Sequence, residues 1–395
     1  EVEFSRARDP AVRHRFAIDA QDIVLAIDAA TGKTRWKSTF PDGMNIPMGK
    51  RGGWGITPAA GKGLIFSVGT TGQVRAQDLT TGKVAWIATV GAAAEAMAAS
   101  RRTALEKRTI ADVSLAGQLI VVADVVLVPD LRNGLIGFEA TSGRVLWHQQ
   151  QVLTSGWNMP VPIRMGGKDH VAVVNREGTL RALEVASGRI AWTEELKSQH
   201  LGNMAATDDH LLVFVPKPGS DEQGEATSGA LAAYAYDENG ATRTWVTNDI
   251  TIQLKKDAGP AMKPLVDPAG HIYVIERQNE PQRIRNLTVI RESDGAILHT
   301  ETDTTYMALH LWGDKLVAIT DIGHRPRGAN PEIWQFYSRD PNAFRKIGNG
   351  WHINGQPLIH TATGGYEIPL LDVFADGFVF CRTVEGVRCY DLRAK

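Results

Sequence analysis

The sequence lacks a strong excess of charge, long apolar runs and abundant aromatic residues, and each absence narrows the possible functions. Its 43 basic residues nearly cancel its 44 acidic residues, so we expect neither nucleic acid nor an anionic membrane as the main partner. No stretch approaches the roughly 20 apolar residues of a spanning helix, so we expect no transmembrane segment. Aromatic residues are only 7% of the chain whereas glycines number 39, which favours short strands and tight turns over helices.

Motifs that mark common catalytic chemistries are also missing. The sequence contains no Cys-x-x-Cys pair and no His-Glu-x-x-His motif, and no spacing among its 11 histidines supports a metal site. It contains neither a Gly-x-Ser-x-Gly nucleophile motif nor a phosphate-binding glycine loop. We therefore expect no metal ion and no chemistry of these classes.

The chain has only two cysteines, Cys381 and Cys389, and the residues between them form a predicted hairpin turn with Glu385 at its midpoint. Across such a turn the two cysteines face each other, which predicts a disulfide and hence an oxidising compartment. The alternative is a pair of buried free thiols. The chain begins at Glu1 without Met, which we interpret as a mature or trimmed form, so a periplasmic or secreted location is expected.

An internal repeat is the dominant signal in the sequence. Each copy is an alternating strand that ends in Asp or Glu, followed by a Thr-Gly or Ser-Gly turn and a second strand that carries Trp. Four copies are nearly complete, at residues 25–36, 74–86, 136–147 and 180–192. Weaker copies cover residues 231–245, 287–299 (with His299 in the Trp place), 334–347 and 387–392. Two strands joined in this way form the outer half of a propeller blade, and the Trp is expected to pack between neighbouring blades.

The pattern Ala-x-Asp-x-x-Thr-Gly-Lys-x-x-Trp resembles the tryptophan-docking repeats of pyrroloquinoline-quinone-type (PQQ-type) propellers, and the resemblance covers nearly the whole chain. It implies an all-β fold, a single eight-bladed β-propeller of four-stranded antiparallel blades, as in quinoprotein dehydrogenases and in the BamB outer-membrane assembly lipoproteins. A seven-bladed ring stays open as the alternative, because the seventh copy is degenerate. One domain then spans residues 1–395, and residues 2–5 are expected to complete the last blade and close the ring.

Two segments interrupt the repeats without forming domains of their own. Residues 92–107 are rich in Ala, Glu, Arg and Lys, which predicts a helical insertion between the second and third copies. Residues 216–228 are polar and contain Pro, Gly and Ser, which predicts a flexible loop insertion.

The resemblance raises the question of a quinone cofactor, and the residues argue against one. Quinoprotein dehydrogenases of this fold are longer, and the alcohol dehydrogenases among them carry two adjacent cysteines that cap the quinone. Cys381 and Cys389 are not adjacent, and no Cys-x-x-Cys-His haem-attachment motif occurs. We therefore expect no bound PQQ, no other cofactor and no dehydrogenase activity.

Three connections that precede inner strands share a Gly-Trp pair, which places Trp54, Trp157 and Trp351 near one mouth of the central channel. These are not the docking tryptophans of the repeat. An indole ring at a channel mouth offers a flat apolar face to a sugar ring or another planar ligand. The alternative is that each Trp fills a wedge between blades.

Cationic, imidazole and amide side chains fall in the same connections and in the turns between inner strands. If they converge at one mouth, a nearly neutral protein gains a positive funnel that attracts a carboxylated or sulfated ligand. The predicted ligand-binding residues are therefore Trp54, Trp157, Trp351, Arg51, Asn158, Arg176, His200, Arg277 and Arg382. The alternative is that these side chains point outward as ordinary surface groups.

His324 and Arg325 belong to the densest basic segment of the chain. A His can abstract the acidic proton next to a carboxylate that an Arg neutralises, which is the chemistry of a polysaccharide lyase, with Tyr306 or His352 as the acid. Several lyases of acidic polysaccharides are propellers, but no lyase signature is present, so this hypothesis is an analogy of fold.

The sequence thus supports two functional hypotheses. The first is an extracytoplasmic protein that binds an acidic saccharide, or a similar anionic ligand, at the channel mouth and acts as a polysaccharide lyase if it is an enzyme. The second is a non-catalytic protein-assembly scaffold that resembles BamB. In both hypotheses the expected form is a monomer.

Overall fold

The computed structural model describes the strands and tight turns of this chain. The described residues are 21–40, 58–69, 73–89, 119–130, 134–152, 159–175, 178–196, 204–217, 228–253, 263–277, 285–304, 306–320, 334–351, 373–383, 386–391 and 393. They form β-strands throughout, and the one helical element among them is a single 3-10 turn at Pro341–Ala343. The fold is therefore all-β, as expected.

The first two strands, β1 (Asp22–Ile27) and β2 (Thr34–Phe40), form an antiparallel hairpin, which we call the latch hairpin. Its turn is built by the repeat motif. The carboxylate of Asp28 accepts hydrogen bonds from the backbone N–H of Thr31 at 2.9 Å and from its hydroxyl at 2.8 Å. Gly32 then adopts a φ of 68°, which a residue with a Cβ rarely takes. The hydroxyl of Thr31 also lowers the pKa of Asp28, because it bonds to the charged form.

Seven sheets of three or four antiparallel strands follow the latch hairpin, and we number them as blades in chain order. The first three blades comprise β3 (Ala59–Gly61), β4 (Leu64–Val68), β5 (Gln73–Asp78) and β6 (Val84–Thr89); β7 (Ile120–Val122), β8 (Val125–Asp130), β9 (Gly134–Glu139) and β10 (Val145–Gln149); and β11 (Val161–Met165), β12 (Lys168–Val174), β13 (Thr179–Glu184) and β14 (Ile190–Glu195). Strands pair in sequence order within each blade, so the third and fourth strands are the hairpin that the repeat motif encodes.

The remaining four blades follow the same order. They comprise β15 (Ala205–Ala206), β16 (His210–Pro216), β17 (Ser228–Tyr236) and β18 (Ala241–Gln253); β19 (Leu265–Val266), β20 (His271–Arg277), β21 (Arg285–Arg291) and β22 (Ile297–Thr304); β23 (Tyr306–Trp312), β24 (Lys315–Thr320), β25 (Trp334–Ser338) and β26 (Lys346–Trp351); and β27 (Val373–Ala375), β28 (Phe378–Thr383) and β29 (Gly386–Asp391). The first strands of several adjacent blades contact one another, which places them nearest the centre of the ring.

The structure does not show the expected eight four-stranded blades. Among the described residues there are six four-stranded blades and one three-stranded blade, which makes seven, together with the two-stranded latch hairpin. The first repeat copy is the latch hairpin, and the last copy lies in the three-stranded seventh blade. Repeats that encode only the third and fourth strands cannot show whether a first and second strand accompany them, which explains the difference.

Both predicted insertions lie mostly outside the described residues. The helical insertion at residues 92–107 falls wholly outside them, so its helix stays a prediction. The loop insertion at residues 216–228 is described only at its two ends. There Pro216 closes β16 and Ser228 opens β17, so the insertion connects the second and third strands of the fourth blade.

The repeat tryptophans dock onto the next sheet around the ring, as expected. Each indole N–H donates to a backbone carbonyl in the next sheet's third-to-fourth-strand turn or beside it. The pairs are Trp36 to Leu79 at 3.1 Å, Trp86 to Ala140 at 2.8 Å, Trp147 to Val185 at 2.8 Å, Trp192 to Asp237 at 3.0 Å and Trp245 to Glu292 at 2.9 Å. In the fifth blade His299 stands in the Trp place and packs instead on Phe344, with ring centroids 4.7 Å apart.

An apolar cluster fills each of the six boundaries between neighbouring blades. The third–fourth boundary, for example, buries Val174 and Leu180 against Leu211 and Val213. Burial of such aliphatic side chains is the main favourable contribution to folding. At the first four of these boundaries a docked tryptophan adds a directed hydrogen bond to the apolar packing.

The ring closes between the seventh blade and the latch hairpin, where the sulfur of Cys389 lies 4.0 Å from the carbonyl oxygen of Ala29. Residues 2–5, which were expected to complete the last blade, lie outside the described residues, so that closure stays a prediction. The predicted disulfide is wrong. In the pairing of β28 with β29 the partner of Cys389 is Phe380, and the partner of Cys381 is Arg388. Side chains of successive residues point to opposite faces of a sheet, so this register does not set the two cysteines against each other. Cys389 is a free thiol, and it is exposed rather than buried.

Candidate functional site

Most side chains of the predicted site lie outside the described residues. These are Trp54, Trp157, Arg51, Asn158, Arg176, His200, His324, Arg325 and His352. For Trp351, Arg277 and Arg382 the backbone is described and the side chains are not. Tyr306 is the one predicted site residue whose side chain is described.

The described strand ends that flank the predicted positions all lie at one face of the ring. In an antiparallel blade the second and fourth strands end at the edge where the first and third begin, and we call that edge the loop face. The flanking strands are β2 and β3 for Arg51 and Trp54, β10 and β11 for Trp157 and Asn158, β12 and β13 for Arg176, β14 and β15 for His200, β24 and β25 for His324 and Arg325, and β26 and β27 for His352. Arg277 ends β20, Trp351 ends β26, Arg382 is next to the end of β28, and Tyr306 begins β23. Their convergence on a single pocket stays a prediction.

Tyr306 is buried, at 6% relative exposure, in the apolar cluster between the fifth and sixth blades. Its hydroxyl lies 2.6 Å from that of Tyr337, and its backbone carbonyl accepts a hydrogen bond from Arg285 at 2.6 Å. A hydroxyl that is enclosed and paired in this way fits a packing role better than proton transfer to a polymer at the channel mouth.

The opposite face, which we call the turn face, carries the turns within each blade and is described almost completely. Its best-formed polar group surrounds Asp267, whose side chain is nearly inaccessible to solvent. The carboxylate accepts hydrogen bonds from the backbone N–H of His271 at 3.0 Å and from the hydroxyl of Tyr273 at 2.9 Å. Burial raises the pKa of Asp267, but these hydrogen bonds outweigh it, so the net pKa lies below the ordinary range. Burial beside that carboxylate raises the pKa of Tyr273.

A second polar contact on the turn face ties the fourth blade to the fifth. Nδ1 of His210 lies 2.5 Å from Oε1 of Glu292, and the hydroxyl of Thr207 donates to the same oxygen at 2.9 Å. The backbone carbonyl of Glu292 also accepts the docking hydrogen bond of Trp245. Glu292 therefore holds the preceding blade at two points, through its side chain and through its backbone. We interpret this as a structural role.

The boundary between the latch hairpin and the first blade is different, because charged and amide groups replace the apolar cluster. Arg75 is 1% exposed, and its guanidinium lies 3.1 Å from Oδ2 of Asp22 and 3.9 Å from the ring centroid of Phe40. It also donates to the side-chain oxygen of Gln73 at 3.2 Å. A buried ion pair of this kind is expensive to break, since removal of one partner leaves an uncompensated charge.

None of these polar groups was singled out from the sequence. The signal that would have found them is a comparison of the repeats by strand position. The residue just before each third-to-fourth-strand turn is Gln77 in the first blade, and in the next five blades it is Phe138, Leu183, Tyr236, Ile290 and Tyr337. An amide at a position otherwise occupied by large apolar or aromatic residues indicates an unusual boundary.

The described residues contain no cluster of three or more His, Cys, Asp and Glu side chains that is arranged to hold a metal ion. No helix within the described ranges has the length and hydropathy needed to cross a membrane. The expectations that the protein binds neither a metal ion nor a quinone stay predictions.

Comparison with known proteins identifies relatives of this ring. Residues 20–298 match the profile of a family described as outer membrane protein assembly factor BamB. Among solved structures the chain is similar to BamB from Moraxella catarrhalis, with a TM-score of 0.57 and 14% identity over 94% of this chain and 90% of that one. It is also similar to Sqt1 of Saccharomyces cerevisiae, with a TM-score of 0.56 and 11% identity over 95% of this chain and 91% of that one. No curated protein sequence gives a significant match.

The fold and the docked tryptophans define a β-propeller of repeats in which the first five blades are joined by tryptophan hydrogen bonds. Because the family profile covers more than half of the chain, the protein belongs to the BamB family of outer membrane protein assembly factors. At identities of 11% and 14% the two solved structures support the fold alone.

Proposed function

We propose that this protein is a non-catalytic scaffold that acts outside the cytoplasm in the assembly of outer membrane proteins. Membership of the BamB family, across residues 20–298, is the observation that carries this proposal. The expected alternative from the sequence, a protein-assembly scaffold, is thereby favoured over the saccharide-binding hypothesis.

The construction of the ring suits a scaffold. Six apolar boundaries and four docked tryptophans hold the blades in fixed positions relative to one another. A rigid surface loses little conformational entropy when a partner binds, so binding energy is available for affinity. The long connections join strand ends that lie on the loop face, and they differ in length and composition, as segments that bind a protein partner often do.

Deletion of the gene in the native organism tests the scaffold proposal. We expect a lower abundance of β-barrel proteins in isolated outer membranes, measured by quantitative mass spectrometry, and recovery when the parent protein is supplied again. A variant whose ring is destabilised, such as Trp147→Ala, should recover less. An unchanged outer membrane proteome would contradict the proposal.

The acidic-saccharide hypothesis is the weaker candidate and shares the loop face. Tyr306, one of its proposed acids, is enclosed and paired with Tyr337. A screen of acidic polysaccharides that follows the absorbance of unsaturated uronates tests it, with His324→Ala and Trp157→Ala as variants. Activity that both variants abolish would replace the scaffold proposal, whereas no binding and no cleavage would end the saccharide hypothesis.

A further inference from the structure

The boundary between the latch hairpin and the first blade buries polar atoms that have no hydrogen-bond partner. They are Oγ of Ser67, Nε of Arg75 and Oε1 of Gln77. The three side chains are at most 9% exposed. Nearly all buried polar atoms in folded proteins find a partner, so three such atoms at one boundary call for an explanation.

The three residues share one face of the first blade. Ser67 pairs with Arg75 across β4 and β5, and Gln77 follows Arg75 by two residues along β5. The opposite face of the same strands carries Phe66, Val74 and Ala76, which pack into the apolar cluster toward the second blade. The unsatisfied polar face is therefore the one that meets the latch hairpin.

The other side of the latch hairpin is also weakly held. Ile23, Leu25 and Ile27 alternate along β1 and are 51%, 47% and 37% exposed. No apolar cluster among the described residues joins the hairpin to either neighbouring sheet. Among the described residues, the polar contacts that tie it to the first blade include the docking bond of Trp36, the bond from Ser38 to the carbonyl of Gly82, and the Arg75 ion pair.

We propose that the latch hairpin is a releasable element of the ring, which detaches from the first blade as a unit while the seven blades stay packed. Detachment lets water reach the buried atoms of Ser67, Arg75 and Gln77, which offsets part of the lost docking contact. The released state exposes the indole of Trp36 and the ring of Phe40, together with the polar face of the first blade. This conformational change is independent of the proposed scaffold function.

Native-state hydrogen exchange measured by mass spectrometry tests the proposal on the full chain. In the parent protein we expect the amides of β1 and β2 to exchange at least about tenfold faster than those of β12 and β13 in the third blade. Equal protection of the two regions would overturn the proposal.

Two variants separate the proposed cause from general instability. Gln77→Leu removes an unsatisfied atom and places at this position the residue type that Leu183 represents in the third blade. The carbonyl of Gly82, which accepts from Gln77, keeps its bond from Ser38, so the change is tolerated. We expect hairpin exchange to slow by about tenfold, with no change in β12 and β13. Unchanged hairpin exchange in Gln77→Leu would overturn the proposal.

The second variant, Asp22→Asn, weakens the ion pair with Arg75 and should accelerate hairpin exchange by about tenfold while β12 and β13 stay protected. Thr39→Val is the matched control, because Thr39 lies on the exposed face of β2 and touches neither group. It should leave the exchange of both regions as in the parent. Acceleration of the whole chain by Asp22→Asn would mean that the hairpin opens only with global unfolding, contrary to the proposal.

Discussion

At the residue scale, the docking tryptophan of one blade packs against the turn glycine of the next, so each residue type requires the other. The indole of Trp147 donates to the carbonyl of Val185 and lies flat against Gly188 in the next blade. A Cβ at Gly188 would lie 2.4 Å from Cδ2 of Trp147, so the glycine is required both by its φ of 67° and by the indole. The repeat motif predicted this packing because it encodes both partners, the Trp of one blade and the Thr-Gly or Ser-Gly turn of the next.

Trp147→Ala should destabilise the protein by about 3–5 kcal/mol, because it removes a large buried ring and a buried hydrogen bond. Trp147→Phe keeps most of the packing and loses the bond, so it should cost less, with about 1 kcal/mol from the lost bond. Urea unfolding followed by circular dichroism measures both. Equal costs for the two variants would contradict a docking role for the indole N–H.

Gly188→Ala and Gly32→Ala form a matched pair, since both glycines occupy the same turn position with φ near 67°. At Gly32 no atom lies within 4 Å of the added Cβ, so the cost is the backbone conformation alone, about 1–2 kcal/mol. At Gly188 the clash with Trp147 adds to that cost. The midpoint of thermal unfolding should therefore decrease more for Gly188→Ala than for Gly32→Ala. Equal decreases would mean that the indole of Trp147 moves aside without cost, contrary to this account.

At the element scale, the strands that the motif covers were predictable and the others were not. Alternation and an Asp or Glu followed by a Thr-Gly or Ser-Gly turn mark the third and fourth strands of the first three blades. The first strands are as short as Ala205–Ala206 and have no pattern of their own. The blade count differed for this reason. The disulfide prediction was wrong for a different reason. A shift of one residue in the register of β28 and β29 moves a side chain to the other face of the sheet.

His310 makes the boundary between the sixth and seventh blades sensitive to pH. It lies on β23 with its ring 5.1 Å from that of Phe374, and its Nε2 is buried without a partner. Burial lowers the pKa of His310, while in the unfolded chain a His titrates near 6.5. As the pH falls, the unfolded state therefore binds the proton at a higher pH than the folded state does. The free energy of unfolding keeps its full value above about pH 6.5 and decreases as the pH drops toward the folded pKa.

We expect the free energy of unfolding of the parent to decrease by up to about 1.4 kcal/mol per pH unit in that window through this group. In His310→Leu this part of the decrease should vanish. Urea unfolding at about pH 7.5 and about pH 5.5 measures it, with His148→Leu, a change at an exposed histidine, as the control. The same pH dependence in the parent and in His310→Leu would contradict the assignment.

At the scale of the whole molecule, the sequence predicted the ring and left its site open. The turn face is encoded by residues that recur in the near-complete copies, such as Asp78 and Thr81 in the first blade, so a single sequence reveals it. The strands that meet the loop face are joined by connections that differ in length and share at most a Gly-Trp pair, and Trp54 and His324 lie in them, outside the described residues. A propeller motif therefore predicts how blades dock, while the partner depends on segments that do not repeat.

Ring closure is the central structural claim, and a cross-link between its two ends tests it most directly. Ala29 and Cys389 are 360 residues apart in sequence, yet the sulfur of Cys389 lies 4.0 Å from the carbonyl oxygen of Ala29. In an Ala29→Cys variant with Cys381→Ser, a short bis-maleimide reagent should join residues 29 and 389 within one chain, detected by peptide mass spectrometry. An Ala186→Cys variant, with its cysteine on the third blade's turn, should not cross-link to Cys389. Failure of the first cross-link, or equal yield in both variants, would contradict a ring closed by the latch hairpin.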